Sequence, residues 1–165
     1  MSDQSVCLVT GVGPGTGAAL VRRFARAGYK VAMLARSADR LSELEEEIEG
    51  AQGFPCDVTD TAALKDVVAR VRESLGAPNV VIHNAVRGAL GNFREIDPSV
   101  LESNFHINTM ALLHLARLTV DDMIAAGSGV ILCTGNTSAY RGKAAFAGFA
   151  PTKAAQRILL ESIAR

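Results

Sequence analysis

Apolar residues along the chain fall into short continuous runs that are separated by longer amphipathic stretches. Five runs predict β-strands, at Ser5–Thr10, Tyr29–Ala35, Gly53–Cys56, Asn79–His83 and Gly129–Thr134. Runs that are apolar at every position, rather than at alternate ones, are typical of a parallel sheet covered on both faces. Helical spacing between them predicts helices over Gly15–Arg26, Asp39–Glu49, Thr59 or Asp60 to about Gly76, Asp97 to about Ala126, and from Ala150 onward.

This alternation of strands and helices predicts parallel pairing with right-handed crossovers. The expected fold class is α/β, with a Rossmann-type doubly wound parallel sheet in a three-layer α/β/α arrangement and one NAD(P)-binding domain over residues 1–165. A sheet of this kind normally continues to a sixth strand. We therefore expect the domain to end before its last strands. The chain would then be a fragment or a truncation, or a partner chain would complete its core. The last helix leaves four apolar residues in need of partners: Ile158, Leu159, Leu160 and Ile163.

Composition excludes several classes of function. Lysine plus arginine equals aspartate plus glutamate, at 17 each, which argues against binding to nucleic acid through phosphate contacts but leaves room for a small anionic ligand. No apolar run has the length of a membrane span and no secretory signal is visible, so we expect a cytoplasmic location. The three cysteines lie in or beside predicted strands, as buried thiols do, and the three histidines lack metal-ligand spacing, so no metal site is expected.

A glycine-rich segment joins the first predicted strand to the first predicted helix. It reads Thr-Gly-Val-Gly-Pro-Gly-Thr-Gly over residues 10–17. Glycines allow a sharp turn and a close approach of a pyrophosphate, and the helix start behind them offers free N–H groups and the positive end of the helix dipole. In this context the loop predicts a dinucleotide site. The loop residues expected to contact the cofactor are Thr10, Gly11, Gly15, Thr16 and Gly17.

The loop has the spacing T-G-x-x-x-G-x-G, and with it the chain resembles the short-chain dehydrogenase/reductase family along essentially its whole length. Four further segments carry the resemblance: Asp57-Val58; Val81–Val86, which is similar to the family's N-N-A-G; Asn108; and Phe149–Lys153, which is similar to Y-x-x-x-K. The resemblance implies that the cofactor's adenine is held by Asp57 and Val58. It also implies cofactor contacts at Asn84 and Ala85 and a ribose contact at Lys153.

The end of the second predicted strand indicates which nicotinamide cofactor is preferred. Domains that bind NAD place an acid there to accept from the ribose hydroxyls, and this chain has Ala35. The guanidinium of the next residue, Arg36, can pair with a 2′-phosphate. In the family a basic residue at this position implies NADP, so we expect NADP rather than NAD. Arg40 is either a second contact or a solvent-facing side chain.

The catalytic positions that the resemblance implies are only partly retained. The family uses a tyrosine as general acid or base, a serine thirteen residues earlier, a lysine and an asparagine. Here the tyrosine position holds Phe149 and the serine position holds Asn136, whereas Lys153 and Asn108 are kept. An asparagine can still donate a hydrogen bond to a carbonyl. We expect Asn108, Asn136 and Lys153 to form an altered catalytic centre.

Three residues are candidates for the missing acid. Tyr140 carries a phenol but lies four residues past the serine position, Ser138 lies near it, and His83 lies beside the predicted nicotinamide site. Each also has a structural interpretation, as a surface, loop or buried side chain. Val86 departs from the family as well, because glycine is usual there and a branched side chain would crowd the nicotinamide.

Three hypotheses for function follow. The first is an NADP-dependent oxidoreductase that acts on a carbonyl or alcohol by hydride transfer. The second is a non-catalytic NADP-binding regulatory or interaction protein. The third is an interaction subunit, for which leucines of the long helix would supply the contact unless they are core. Those leucines are Leu112, Leu113, Leu115 and Leu118. The resemblance also implies a small-molecule substrate and a homodimer or homotetramer.

Overall fold

The computed structural model describes residues 5–165 and shows a five-stranded parallel sheet. The strands are β1 (Val6–Thr10), β2 (Lys30–Ala35), β3 (Ala51–Pro55), β4 (Val80–His83) and β5 (Val130–Cys133), in the spatial order β3-β2-β1-β4-β5. The chain moves outward from β1 to β3 and then returns to the other side of β1 for β4. Ligands bind at this kind of switch point, outside the carboxyl ends of the strands.

Helices connect and cover the strands. They are α1 (Thr16–Ala25), α2 (Ala38–Glu47), α3 (Thr61–Ser74), α4 (Pro98–Phe105), α5 (Ala111–Ala126) and α6 (Ala150–Ile163). A π-helical turn at His106–Met110 joins α4 to α5, and a 3₁₀ turn at Thr137–Ala139 follows β5. Side-chain oxygens cap three of the helices, because Ser37, Asp60 and Asp97 accept hydrogen bonds from amides of the first turn of α2, α3 and α4.

Two apolar clusters lie on opposite faces of the sheet. Successive residues of β1 alternate between them, with Leu8 in one cluster and Val9 in the other. Helices α3 and α5 cover the first face through side chains such as Leu64 and Leu115, and α1 and α2 cover the second through side chains such as Val21. The doubly wound three-layer fold is thereby confirmed.

The structure departs from the predicted elements in three places. Strand β3 begins at Ala51, not at Gly53, because its pairing with β2 runs from Val31 opposite Ala51 to Ala35 opposite Pro55. Strand β5 is not covered on both faces, since Val130 and Leu132 are 48% and 43% exposed. The predicted long helix is interrupted by the π turn. Its leucines are mostly core: Leu112 and Leu115 are buried and Leu118 packs against the core, which removes them as an interaction surface.

Within residues 5–165, no helix is both long and apolar enough to cross a membrane. The same residues contain no group of three or more histidines, cysteines or acids placed to hold a metal ion. The three cysteines are free thiols, two of them buried and one partly buried.

Candidate functional site

A cavity of about 770 Å³ opens at the carboxyl ends of the strands. Five segments line it: the glycine loop, the end of β2 with the start of α2, residues 56–58 after β3, residues 84–87 after β4, and Ile107 of the π turn. Nine of the eleven predicted cofactor residues lie in this lining. They are Gly11, Gly15, Thr16, Gly17, Arg36, Asp57, Val58, Asn84 and Ala85.

The glycine loop is shaped by close contacts between strand ends. Gly11 has a φ of 67°, and a Cβ there would lie 2.4 Å from the Cα of Ala85, so only glycine allows the ends of β1 and β4 to approach. A Cβ at Gly17 would lie 2.6 Å from the carbonyl oxygen of Gly11. At Gly13 and Gly15 nothing lies within 4 Å of such a Cβ. The loop is therefore tight against the protein and open at these two positions.

The start of α1 leaves amide groups available to a ligand. Gly15 is the N-cap and no side chain caps the helix. The first amides of this turn that donate within the chain are those of Ala18, to the carbonyl of Gly13, and Ala19, to the carbonyl of Gly15. Among residues 5–165, no acceptor is bonded to the amides of Gly15, Thr16 and Gly17. Free amides at a helix N-terminus attract anions, so the loop fits a dinucleotide pyrophosphate.

Cationic side chains lie at the end of β2. Ala35 is the last residue of the strand, and Arg36, Ser37 and Arg40 line the cavity beside it. Ser37 accepts a hydrogen bond from the Arg40 amide at 3.4 Å, which holds these residues together at the N-terminus of α2. Neither arginine forms an ion pair within the described residues. Two arginines and a helix start thus line the cavity at the end of β2, where they attract an anionic group.

The segment after β3 presents a carboxylate to the cavity. The Oδ1 of Asp57 accepts from the Thr59 amide at 2.9 Å and from the Thr59 hydroxyl at 2.7 Å. These hydrogen bonds, together with the charge of Arg36, lower the pKa of Asp57, so it remains an acceptor. Burial raises the pKa of the neighbouring Cys56 to about 11, so its sulfur stays a protonated thiol.

Thr10 lies behind the cavity instead of lining it. Its hydroxyl oxygen accepts from the amides of Asn84 at 3.1 Å and Ala85 at 3.2 Å, so its proton points to Nδ1 of His83, 3.1 Å away. The other ring nitrogen of His83 lies 3.0 Å from the carbonyl of Ile107, which can only accept. The predicted contact of Thr10 with the cofactor is thus replaced by a supporting role, in which it holds the backbone that the cofactor would touch.

This geometry assigns the proton of His83 to Nε2. Burial is the main reason that the pKa of His83 is lowered to about 4, and the ring is neutral at physiological pH. Both ring nitrogens are occupied and the side chain is fully buried. His83 is a bridge between β1, β4 and the π turn, and it is not available as a general acid.

Asn108 is engaged entirely in internal hydrogen bonds. Its Nδ2 donates to the carbonyl of Arg87 and to the hydroxyl of Thr152, both at 2.8 Å, and its Oδ1 accepts from the Arg87 amide at 3.0 Å. The side chain is fully buried in the π turn. Asn108 therefore holds the segment after β4 against α6, and its side chain does not face the cavity.

Lys153 is also turned inward. Its ammonium donates to the carbonyl of Thr134 at 2.7 Å, and the residue is 3% exposed. Burial lowers the pKa of Lys153. It does not line the cavity, so in this structure the predicted ribose contact is replaced by a bond to the end of β5.

The two substituted positions are likewise held by local contacts. Phe149 is the N-cap of α6 and its ring packs on Gly88, where a Cβ would come within 2.9 Å of Cδ2. The side chain of Asn136 accepts from the Ser138 amide at 3.0 Å and so caps the 3₁₀ turn. Two of the predicted catalytic residues thus lie after β5 and in α6, Asn136 in the turn that follows the strand and Lys153 in the first turns of the helix.

The alternative acids do not reach the cavity lining. Tyr140 is 79% exposed, and the guanidinium of Arg157 lies 4.9 Å from the centre of its ring. Tyr140 and Ser138 line a separate hollow of about 340 Å³. Val86 does line the cavity and is 54% exposed.

Comparison with known proteins identifies the family. The model of short-chain dehydrogenases matches residues 5–165. The chain belongs to this family. A short-chain dehydrogenase from Streptomyces avermitilis superposes with a TM-score of 0.94 at 30% identity, over 99% of this chain and 61% of its own.

Curated members of the short-chain dehydrogenase family are oxidoreductases. The 2,3-dihydro-2,3-dihydroxybenzoate dehydrogenase of Bacillus subtilis is 28% identical over 93% of this chain and 60% of its own, and D-erythrulose reductase of Gallus gallus is 29% identical over 95% and 63%. The chain thus spans just over three-fifths of the length of these relatives. Among solved relatives at 26–27% identity, some carry NADP-type cofactors and another carries NAD⁺.

Five residues of the cavity outside the glycine loop were not predicted from the sequence: Leu34, Ser37, Cys56, Arg87 and Ile107. Leu34 is adjacent in the chain to Ala35, and each of the others is adjacent to a predicted site residue or to a residue of the family segments. That adjacency was the available signal, because the turns after parallel strands bring neighbouring residues to the same edge of the sheet.

Proposed function

We propose that this chain is the cofactor-binding part of an NADP-dependent short-chain dehydrogenase/reductase that interconverts a carbonyl and an alcohol. The cavity is the observation that supports this best. The free amides of α1 suit the pyrophosphate, the carboxylate of Asp57 suits the adenine, and Arg36 and Arg40 suit the 2′-phosphate. The absence of an acid at Ala35 and the presence of two arginines favour NADP over NAD.

When bound, the nicotinamide cofactor supplies the hydride. The glycine loop and Asp57 would hold the cofactor, and Val86 lines the same cavity. Phe149 has no proton to give, so we propose that the product oxygen takes its proton from water held near Asn136 and Lys153. Loss of a general acid costs about 10²–10⁴ in rate, so we expect slow turnover.

A second function is supported by the contacts of the catalytic positions. Asn108, Asn136 and Lys153 use their side chains in internal hydrogen bonds. By contrast, the amides at the start of α1 and the guanidinium groups of Arg36 and Arg40 form no hydrogen bond or ion pair within residues 5–165. A protein that binds NADP without turnover, and reports on it to a partner, would have this arrangement. Reduction of aldehydes by NADPH, above the rate without protein, distinguishes the oxidoreductase from this alternative.

The test of cofactor choice is a fluorescence titration of the chain with NADPH and NADH. We expect NADPH to bind more tightly, and Arg36→Asp to weaken NADPH by about tenfold to a hundredfold, because a charge-assisted hydrogen bond contributes about 1.5–3 kcal/mol. The matched control is Arg94→Gln, an exposed arginine outside the cavity. Equal affinities for NADPH and NADH, in the wild type and in Arg36→Asp alike, would contradict the preference for NADP.

A homodimer or homotetramer remains a prediction from the family resemblance, and a cytoplasmic location remains a prediction from the sequence. Light scattering of the purified chain would test the oligomeric state.

A further inference from the structure

One cation of the cavity is left over after the cofactor has been accounted for. Arg87 lines the cavity from the segment after β4, on the opposite side of β1 from Arg36 and Arg40. The free amides of α1 lie between these two sides and suit the pyrophosphate. The cofactor's anionic groups are therefore matched without Arg87.

Two hydrogen bonds to one side chain fix the backbone of Arg87. Its amide and its carbonyl are both bonded to the side chain of Asn108, at 3.0 Å and 2.8 Å, and Asn108 is fully buried. A residue clamped at two points by a buried side chain has a defined position for its Cα. The guanidinium therefore starts from a fixed point at the rim of the cavity.

The guanidinium itself has donors to spare. One nitrogen, Nη1, donates to the hydroxyl of Ser103 on α4 at 3.1 Å. Among residues 5–165, no carboxylate lies within ion-pair distance of Arg87. A guanidinium carries five N–H groups in a planar fork. Arg87 is exposed at the cavity, and its remaining donors have no anionic partner within the described residues.

The neighbours of Arg87 contact the segment that contains Phe149 and Lys153. Gly88, the next residue, packs on the ring of Phe149, and Asn108 bonds to Thr152, which precedes Lys153. Arg87 therefore lines the cavity at the side nearest to Phe149 and the start of α6, to which Gly88 and Asn108 connect it. A charged group here contacts the substrate rather than the adenosine end of the cofactor.

We infer that Arg87, with Ser103, forms a subsite that binds a carboxylate group of the substrate. The inference rests on the proposed function and specifies its substrate class as carbonyl compounds or alcohols that carry a carboxylate. Arg87 pairs with the two carboxylate oxygens through its free donors, and the carbonyl end of the substrate then points to the region of Phe149 and Lys153.

The test compares 4-carboxybenzaldehyde with its neutral methyl ester as substrates of the wild type, Arg87→Gln and Arg87→Lys. We expect the ratio of kcat/KM for the acid over the ester to fall by about tenfold to a hundredfold in Arg87→Gln, with a partial fall in Arg87→Lys, since an ammonium keeps the charge and loses the fork. In both Arg87 variants the dissociation constant of NADPH should stay within about twofold of the wild-type value. In the control Arg94→Gln, that constant and the acid-over-ester ratio of kcat/KM should both stay within about twofold.

Two outcomes would overturn the subsite. Equal losses for acid and ester in Arg87→Gln would show that Arg87 only shapes the site. A parallel loss of NADPH affinity would show that Arg87 serves a phosphate of the cofactor.

A second readout separates the subsite from the proposed function. Benzoate is titrated into the free chain while the Nε–H signals of arginine are followed by NMR, with the Arg87 signal identified by its loss in Arg87→Gln. A saturable shift of that signal supports the subsite even if no aldehyde is reduced, and no shift overturns it. Failure to bind NADPH would instead overturn the proposed function.

Discussion

The two halves of the site treat their polar groups in opposite ways. In the cofactor half, which comprises residues 10–17 and the ends of β2 and β3, the amides of α1 and the guanidinium groups of Arg36 and Arg40 lack partners within the described chain. In the catalytic half, which comprises the π turn, the end of β5 and the start of α6, the side chains of Asn108, Asn136 and Lys153 all form hydrogen bonds within the chain.

This difference shows which polar groups of the site are open to a ligand and which already have partners in the chain. An open amide or guanidinium stays ready for a ligand because nothing inside the protein competes for it. A buried amide or ammonium must find an internal partner, since leaving it unsatisfied costs about 1–3 kcal/mol. Asn108 and Lys153 are buried and have such partners, whereas Asn136 is exposed and caps a 3₁₀ turn.

The largest expected effect comes from restoring the phenol. Phe149→Tyr should raise the rate of NADPH-dependent aldehyde reduction by about a hundredfold or more, because it supplies the general acid at the start of α6, four residues before Lys153. The measurement is steady-state NADPH oxidation. Phe149→Leu is the control for a changed ring without a phenol, and Lys153→Met in the Phe149→Tyr background should remove most of the gain.

If Phe149→Tyr binds NADPH normally and reduces no aldehyde faster than the wild type, the catalytic half has lost its geometry as well as its acid. The comparison between the halves would then favour the non-catalytic function.

The next effect is on folding and tests the cofactor half. Gly11→Ala should lower the free energy of unfolding by about 3 kcal/mol, because a Cβ would lie 2.4 Å from the Cα of Ala85 and the residue would keep a left-handed backbone. Gly13→Ala, in the same loop but with open space around its Cβ, should change it by less than about 1 kcal/mol. Urea unfolding of both variants gives the values, and similar losses at the two positions would refute the contact argument.

The smallest effect concerns His83, which connects the two halves. The pKa of His83 is lowered from the ordinary value of 6.5 to about 4 in the folded chain. Between pH 6.5 and pH 4 the unfolded chain therefore binds a proton at His83 that the folded chain does not bind. Stability is therefore fully present above pH 6.5 and decreases as pH falls toward 4, by about 2 kcal/mol at pH 5.

Unfolding free energies measured from pH 7.5 to pH 5 would show this slope. His83→Asn should remove it, because asparagine can both accept and donate yet does not titrate, whatever its effect on the stability at neutral pH. An unchanged slope in that variant would assign the pH dependence to other groups.

Much of the fold could be predicted from sequence because it depends on local pattern. Continuous apolar runs, the glycine loop and the caps at Asp60 and Asp97 all report on residues close in the chain. The bounds of β3 could not be predicted, because they are determined by pairing with β2. The exposed side chains of β5 depend on what packs over the sheet, which periodicity does not report.

The site divides in the same way. The sequence by itself determined the glycine loop, the arginines that follow Ala35, and Phe149 and Asn136 at the positions where the family resemblance predicts tyrosine and serine, because each is a matter of residue type at a fixed spacing. Only the tertiary structure decided that Thr10 and His83 support the site from behind, that Asn108 clamps Arg87, and that Arg87 lies at the rim of the cavity. These roles join residues more than twenty positions apart. Hydrogen bonds of that kind are set by how the strand ends and the π turn pack together, and no local pattern encodes them.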